Sequence, residues 1–292
     1  LSPGYYPTPY RPPLFPARWA SIDPVAGRDF GAIRIVNASL MAGAVAFAAA
    51  IAIQFAGIPA ALLTTVLLLF TPDLTLFARE RQAEPLATFF VSLLVWLWAS
   101  SRRSPPSIRR GVVSGAVLGL LILSRSMFVF WLPLAAFMPV GTTVPGSPNR
   151  WRVRASCVLA CLLVVAPWWA RNIVITGAFL PTGSQGHINL PAGFSQRALD
   201  NEGRWRSNSG DGAPELEAAG IDPYSIEYEV RLAEYRFALA RTWMLAHPRE
   251  VVELMGLHVW QELRPRRGRT DWMLLVSAVA VALVTNMLVP LV

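Results

Sequence analysis

The alternation of apolar and polar stretches along the chain predicts a bundle of membrane-embedded helices. A helix that crosses a bilayer needs about 20 residues. The first and last apolar stretches meet that length, whereas the shorter ones fit tilted helices or half-helices packed within a bundle. The expected fold is therefore all-α: a polytopic transmembrane helix bundle with an extracytoplasmic loop region that contains amphipathic helices. The apolar stretches are residues 33–56, 57–72, 84–99, 111–124, 126–140, 155–170 and 272–292.

Two arginine-rich loops indicate which helix ends face the cytoplasm. Loop 100–110 contains four arginines, loop 141–154 contains three, and neither contains an acidic residue. Because arginine is enriched in cytoplasmic loops, both are predicted to be cytoplasmic. The chain between them must leave and return, so 111–124 and 126–140 should form a hairpin with Arg125 at its outer tip. The segments then left on the outer side are 1–32, 73–83 and 171–271.

This topology divides the chain into an outer segment, a transmembrane region, an extracytoplasmic loop region and a final transmembrane helix. In the loop region, residues 177–215 are rich in Gly, Ser and Asn and are expected to be irregular. Asp222-Pro223 then predicts the start of an amphipathic helix that ends at residue 246. A second amphipathic helix is expected from Pro248 to before Pro265, and both would lie at the membrane surface. The four domains are 1–32, 33–170, 171–271 and 272–292.

Composition supports the membrane assignment and excludes several kinds of site. The chain is 54% hydrophobic and 15% charged with a mean hydropathy of +0.42, whereas soluble domains are nearer a quarter charged. All 26 basic residues are arginine, so a P-loop lysine and a Schiff-base lysine are excluded. Two cysteines exclude a disulfide framework and a cysteine-rich metal site, and three histidines leave little room for a histidine cluster.

Four stretches, in their order and spacing, resemble the polyprenyl-phosphate-sugar-dependent membrane glycosyltransferases of the GT-C type. The resemblance covers nearly the whole chain and is to the branch of protein O-mannosyltransferases, aminoarabinose transferases and Rgt-like enzymes. The stretches are YRPPLFP at 10–16, ARERQAEPL at 78–86, the glycine-containing helix 111–124 that ends at Arg125, and APWWARN at 166–172 followed by GAFLP at 177–181.

The resemblance implies transfer of a sugar from a polyprenyl-phosphate carrier to a lipid, glycan or protein acceptor. The active site would lie on the extracytoplasmic face of a bacterial inner membrane. In this family the catalytic aspartate precedes the Pro-Pro-Leu motif, but residues 1–10 contain no acid. The general base is therefore expected outside this chain, which would then be a piece of a longer protein.

The reaction needs a carboxylate near the acceptor and cations at the departing phosphate. Arginine suits the second requirement because its planar fork binds phosphate oxygens in pairs. The site residues are expected to be Glu84 as the catalytic acid, Arg11, Arg125 and Arg171 at the donor phosphate, and Tyr10 and His187 as weaker substrate-binding candidates.

Each candidate also has a purely structural interpretation. The arginines would snorkel to the interface, and Glu84 would be an acid favoured by a helix dipole. Tyr10 would belong to a rigid proline-rich connector, and His187 would be solvated. No cofactor is certain; a divalent metal is possible, and its ligands are unknown. The expected partners are the lipid-linked sugar, the bilayer and the acceptor, without nucleic acid.

Two other functional classes remain open. One is a transporter or flippase of lipid-linked saccharides, although transporters commonly show two related halves and mid-membrane charges. Here no halves are visible, and the candidate charges gather at one face. The other is a catalytically silent fragment or accessory protein.

The topology is testable by cysteine labelling from outside the cell. Ser207→Cys in the outer loop should react with a membrane-impermeant maleimide in intact cells. Ser104→Cys should react only after permeabilisation, because four arginines surround it in a predicted cytoplasmic loop. The unsubstituted chain is the control. Labelling of Ser104→Cys alone from outside would reverse the whole orientation.

Overall fold

The computed structural model describes residues 8–26, 30–79, 82–102, 104–138, 149–205 and 211–263. Every regular element within these ranges is a helix, which confirms the predicted all-α fold. The chain forms two compact units. Unit I comprises the described residues of 13–167, and unit II those of 1–12 and 168–264.

The helices are numbered in chain order. Unit I contains α1 (Leu14–Ala26), α2 (Phe30–Leu69), α3 (Pro72–Arg79), α4 (Glu84–Ser101), α5 (Ile108–Ser124), a 3₁₀ helix (Ser126–Trp131) and α6 (Leu132–Ala135). Helix α7 (Asn149–Thr176) begins in unit I and ends in unit II. Unit II further contains α8 (Gly183–Gly193), α9 (Gln196–Asp200), α10 (Ala213–Ala218), α11 (Ile226–Ala246) and α12 (Pro248–Leu263).

Three of the described helices are long and apolar enough to cross a bilayer: Gly31–Leu69 of α2, Glu84–Ser101 of α4 and Arg150–Thr176 of α7. Their surfaces expose large apolar side chains, including Ile58 and Leu163. Contiguous apolar surface of this kind is rare on soluble monomers. The chain is therefore a membrane protein. The predicted span 272–292 lies outside the described residues.

A break at Gly57 divides α2 where two apolar stretches meet in the sequence. Gly57 has φ 77° and ψ −171°, and Pro59 follows it. A residue with a Cβ atom rarely adopts this backbone conformation, whereas glycine does so readily. The 40 residues of α2 would extend about 60 Å if straight, against about 30 Å for a hydrocarbon core. Because of the break, α2 consists of two helical segments.

The first segment of α2 runs parallel to α4. Near one end, Gly43 of α2 lies against the ring of Phe89. Near the other, Gln54 donates a hydrogen bond from Nε2 to Ser100 Oγ at 3.0 Å. The contacts advance together along both helices, so the helices point the same way. The intervening chain must therefore return to the starting end, as the predicted topology requires.

Helix α5 is the central helix of unit I, and three glycines lie along one of its faces. Glycines four residues apart share a helix face. A Cβ atom added to Gly111, Gly115 or Gly119 would meet a backbone carbonyl of α7. The backbones of α5 and α7 therefore lie unusually close. Small residues permit the same approach in membrane helix pairs generally. The facing positions are Gly111 with Val153, Gly115 with Cys157 and Gly119 with Cys161.

The order of these contacts shows that α5 and α7 are also parallel. Both helices therefore start at the same end of unit I, which agrees with a common side for the loops 100–110 and 141–154. Cys157 and Cys161 are fully buried and pack as small side chains, as expected. Which side of the membrane this end faces remains a prediction.

The expected helix over 126–140 is wrong in detail. The described part is a 3₁₀ helix, Ser126–Trp131, followed by the single α-helical turn α6, Leu132–Ala135. Bulky residues with modest helix propensity occupy the 3₁₀ helix, and Pro133 lacks the N–H group that a continuing helix needs. The chain still reverses after Arg125. The carbonyl of Met138 accepts a hydrogen bond from Arg154 Nε at 3.4 Å, and the neighbouring Val153 faces Gly111 near the start of α5.

The expectation of an irregular chain over 177–215 is also wrong. Two helices, α8 and α9, and the start of α10 lie there. The small polar residues of this segment serve helix ends and close contacts. Ser195, for example, caps α9 by accepting a hydrogen bond from the N–H group of Ala198 at 3.2 Å.

Helix α11 begins three residues later than predicted. Its cap is Ser225, whose Oγ accepts the N–H group of Tyr228 at 3.1 Å. Asp222 instead accepts the N–H group of Tyr224 at 2.9 Å, which closes the preceding turn. The predicted end at residue 246 is confirmed, and so is the second helix, which begins at Pro248 and ends at Leu263.

The glycine face of α5 predicts that alanine lowers the stability of the chain at Gly115 but not at Gly256. Gly115→Ala should destabilise the chain by about 1–3 kcal/mol, because its Cβ would meet the Cys157 carbonyl and overpack the interface. Gly256→Ala is the matched control. Apart from its chain neighbours and the backbone of its own helix, no described atom lies within 4 Å of a Cβ at this position, so higher helix propensity should leave stability unchanged or raised. Thermal unfolding of the chain in detergent measures both. Equal melting temperatures would contradict the close contact.

Candidate functional site

Glu84 and Arg125, which are 41 residues apart in sequence, form an ion pair in unit I. Arg125 donates a hydrogen bond from Nη1 to Glu84 Oε1 at 2.5 Å. The Arg125 side chain is 42% exposed and the Glu84 side chain 21% exposed, so a ligand can reach the pair. The structure thus brings together the expected catalytic acid and one of the expected phosphate-binding arginines.

The local sequence explains where each partner lies. Helix α4 begins at Glu84 with Pro85 in its first turn, as predicted. Proline is favoured there because the first N–H groups of a helix have no internal partner, and the helix dipole favours an ionised acid. Arg125 ends α5 in an extended conformation, with φ −146° and ψ 114°. The start of α4 therefore meets the end of α5.

Arg18 in α1 is a further candidate that the sequence analysis did not identify. Its three guanidinium nitrogens are buried and have no hydrogen-bond partner among the described residues. The guanidinium carbon lies 5.3 Å from the centroid of the Phe15 ring, and burial lowers the pKa of Arg18. A buried charge is costly unless it is paired, so this group is suited to an anion. Its only sequence signal is a basic residue soon after the Pro-Pro-Leu motif.

Arg11 and Tyr10 lie in unit II. The Arg11 side chain is exposed, with its guanidinium carbon 5.8 Å from the centroid of the Tyr10 ring. Tyr10 is held through its backbone, because its N–H group donates to Thr8 Oγ1 at 2.9 Å and its carbonyl accepts from the N–H group of Gln185 at 3.3 Å. Tyr10 therefore belongs to an anchored segment. Convergence of Arg11, Arg125 and Arg171 stays a prediction.

Arg171 interacts with its own helix. Its guanidinium carbon lies 4.7 Å from the centroid of the Trp168 ring, and its Nη1 donates to Asn172 Oδ1 at 2.9 Å. Asn172 is fully buried, and its Nδ2 has no partner among the described residues. This geometry orients the guanidinium along the end of α7, and among the described hydrogen bonds only one of its N–H donors is used.

His187 packs within unit II instead of lying in an irregular loop. It belongs to α8, and its ring stacks on Phe237 of α11 with a centroid distance of 4.5 Å and an interplanar angle of 29°. Burial lowers the pKa of His187, so the neutral ring is favoured. This position explains His187 as a packing residue; no described contact supports its candidate role in substrate binding.

Glu229 of α11 is a buried acid that the sequence analysis missed. Its side chain accepts hydrogen bonds from Thr8 Oγ1 at 2.5 Å and from Ser184 Oγ. The residue is only 6% exposed. It joins α11, the start of α8 and the N-terminal segment. The available signal was one glutamate on the apolar side of an otherwise amphipathic helix.

The N-terminal segment also closes the start of α8 through backbone groups. Ser184 and Gln185 donate their N–H groups to the carbonyls of Pro9 and Tyr10, each at 3.3 Å. Gly183 permits this approach: its φ is +67°, and a Cβ atom would lie 2.5 Å from the Pro9 oxygen.

A metal site is not apparent in the part of the chain that the structure describes. No group of three or more His, Cys, Asp or Glu side chains there is arranged to hold a metal ion. The exposed acid–arginine pair in unit I is suited to recognising a polar or anionic ligand directly.

Comparison with known proteins gives no match: no protein-family model, characterised protein or solved structure is significantly similar to the chain. The resemblance of the four motifs to GT-C glycosyltransferases is therefore carried by the residues themselves and stays a prediction.

The buried acid predicts a local effect on the N-terminal segment. Glu229→Ala leaves the Thr8 and Ser184 hydroxyls without their acceptor, a loss worth about 1–3 kcal/mol for buried groups. Amide hydrogen exchange at Ser184 and Gln185 should therefore accelerate.

Glu227→Ala, on the same helix, is the matched control. Its carboxylate is exposed and lies 4.0 Å from Arg231, so exchange should be unchanged. Equal protection in both variants would show that Glu229 does not anchor the segment.

Proposed function

We propose that this chain is an integral-membrane glycosyltransferase that moves a sugar from a polyprenyl-phosphate carrier to an extracytoplasmic acceptor. The observation that carries the proposal is the exposed Glu84–Arg125 pair at the meeting point of α4 and α5. It combines, at one helix end of a membrane protein, the two kinds of group that the reaction needs: a carboxylate and a guanidinium.

Arg125 is suited to the carrier's phosphate. A guanidinium has five N–H donors, and only one of them serves Glu84 among the described hydrogen bonds. The remaining donors are free to bind two phosphate oxygens in parallel. When the bond between the sugar carbon and the phosphate oxygen breaks, the phosphate takes the electron pair, and a fixed positive charge stabilises it.

Glu84 is suited to the acceptor. The acceptor hydroxyl forms the new bond to the sugar carbon and gives its proton to a carboxylate. Glu84 accepts the hydrogen bond from this hydroxyl and orients its oxygen towards the sugar. The resemblance supplies the general base from residues that precede the Pro-Pro-Leu motif, so Glu84 is the second acid of the site.

Arg18 supports an anionic substrate in unit I. Its buried guanidinium has no described hydrogen-bond partner, and α1 packs against α5, the helix that Arg125 ends. A lipid-linked phosphate would satisfy the charge that the described residues leave unmatched. Arg11 and Arg171 belong to unit II, and their role at the donor phosphate stays a prediction.

Substitution of the pair should reduce sugar transfer. In the full-length protein, Glu84→Gln should lower kcat/KM by at least about tenfold, or ~1.4 kcal/mol of barrier, because it keeps the shape but removes the charge. Arg125→Lys should also lower it, since the charge stays but the bidentate fork is lost. Transfer is measured in proteoliposomes with undecaprenyl-phosphate-linked hexoses and pentoses.

The control is Glu227→Gln, which removes the acid of another exposed Arg–Glu pair and should leave transfer unchanged. Melting temperatures separate catalysis from folding, because an exposed ion pair contributes only about 0–1 kcal/mol. A second measurement is binding of undecaprenyl phosphate, which Arg125→Gln and Arg18→Gln should weaken and the exposed Arg204→Gln should not. Wild-type transfer by Glu84→Gln, or wild-type phosphate binding by both arginine variants, would overturn the proposal.

A further inference from the structure

A pocket of about 510 Å³ lies within unit II. Its lining comes from α11, from the segment that runs from the end of α8 through α9, and from the start of α10. The volume is within the roughly 300–1,000 Å³ of small-molecule sites. No residue of this pocket belongs to the Glu84–Arg125 site.

Two aromatic rings line the α11 wall. Tyr235 and Trp243 are eight residues apart and therefore share one helix face with Leu239 between them. Trp243 is steadied by its stack on His247, with ring centroids 5.0 Å apart and an interplanar angle of 19°. The start of α10 lies against the ring of Tyr235, where Gly212 leaves room for it. Both rings are thus held by neighbours.

Charged groups also line the pocket, beside the apolar Pro191 and Phe194. Three carboxylates and one guanidinium line it: Asp200, Asp211, Glu215 and Arg197. Gln196 orients Asp200 with a hydrogen bond from Nε2 to Oδ1 at 2.9 Å. Arg197 Nη1 lies 3.4 Å from each carboxylate oxygen of Asp211. These contacts link Gln196 with Asp200 and Arg197 with Asp211, and all the charged groups remain at least partly exposed.

Helix α11 also holds the start of α10 in place. Arg236, which is 6% exposed, donates from Nε to the backbone carbonyl of Asp211 at 2.9 Å. Asp211 is therefore held to α11 through its backbone carbonyl, while its side chain contacts Arg197.

We propose that this pocket binds a neutral saccharide. The face of an aromatic ring is negative and attracts the weakly positive C–H groups on one side of a sugar ring. Carboxylates accept hydrogen bonds from sugar hydroxyls, and guanidinium and amide groups donate to them. The pocket offers both kinds of group in a volume that suits a small ligand.

The net negative charge of the pocket limits which ligands it can bind. With three carboxylates and one guanidinium, the pocket repels phosphate, sulfate and uronate groups. An apolar ligand would cover the carboxylates without replacing their hydrogen bonds to water, which is costly. A polyhydroxylated, uncharged ligand satisfies the polar groups without adding negative charge.

This assignment is independent of the proposed transfer reaction. The pocket lies in unit II, whereas the Glu84–Arg125 pair lies in unit I. Saccharide binding is measured without a lipid-linked donor, so loss of transfer activity and loss of saccharide binding can be distinguished.

The experiment is binding of simple saccharides to the whole chain in nanodiscs. Isothermal titration and saturation-transfer NMR are run with the methyl glycosides of glucose, galactose, mannose, xylose and N-acetylglucosamine. At least one should bind saturably. Methyl glucuronide should bind at least tenfold more weakly than the neutral methyl glycoside that binds best, because the carboxylates of the pocket repel its carboxylate.

Matched variants locate the binding. Glu215→Gln and Trp243→Ala should each weaken it by about tenfold, or roughly 1.4 kcal/mol. Their controls are Glu217→Gln on the same helix α10 and Trp260→Ala on α12, both exposed and outside the pocket lining. Equal melting temperatures for Glu215→Gln and Glu217→Gln exclude unfolding as the cause.

The proposal fails if no neutral glycoside of the panel binds saturably. It also fails if the controls weaken binding as much as the pocket variants do. Spermidine provides the remaining test: tighter binding of this cation than of any glycoside would show that the pocket recognises positive charge instead of sugar hydroxyls.

Discussion

The close approach of α5 and α7 is the constraint on which the rest of unit I depends. Three glycines on one face of α5 bring its backbone against the carbonyls of α7. Because lipid offers no hydrophobic driving force between helices, such close van der Waals packing is a main source of their association. It makes α5 the central helix, with Leu118 and Leu121 fully buried. The position of Arg125, at the end of α5, follows from this packing.

The Glu84–Arg125 pair has a different physical character from the core that positions it. Both side chains are partly exposed, and such pairs add little to stability because water competes for each charge. The pair is therefore expected to contribute only about 0–1 kcal/mol to the packing of the helices. The proposed transferase function assigns this accessible acid and arginine to ligand recognition.

The acidic residues of unit II fall into two groups, one buried and one accessible. Glu229 is buried, and two hydroxyl groups satisfy its carboxylate, which ties the N-terminal segment to α8 and α11. The acids around Trp243 and Tyr235 instead remain accessible beside aromatic rings. The carboxylate of Glu229 accepts its hydrogen bonds inside the protein, whereas the carboxylates of the pocket can accept hydrogen bonds from a ligand.

The sequence by itself determined the helical class, the membrane character, the start of α4 at Glu84 and the start of α12 at Pro248, because hydropathy, proline and helix-terminal residues act locally. Local rules failed where two choices were close: Ser225 instead of Asp222 caps α11, and residues 183–200 form helices through contacts with distant segments. Only the tertiary structure paired Glu84 with Arg125, buried Glu229 and enclosed the pocket beside Trp243. Those features join residues far apart in sequence, and their energies depend on distances and burial that no local pattern encodes.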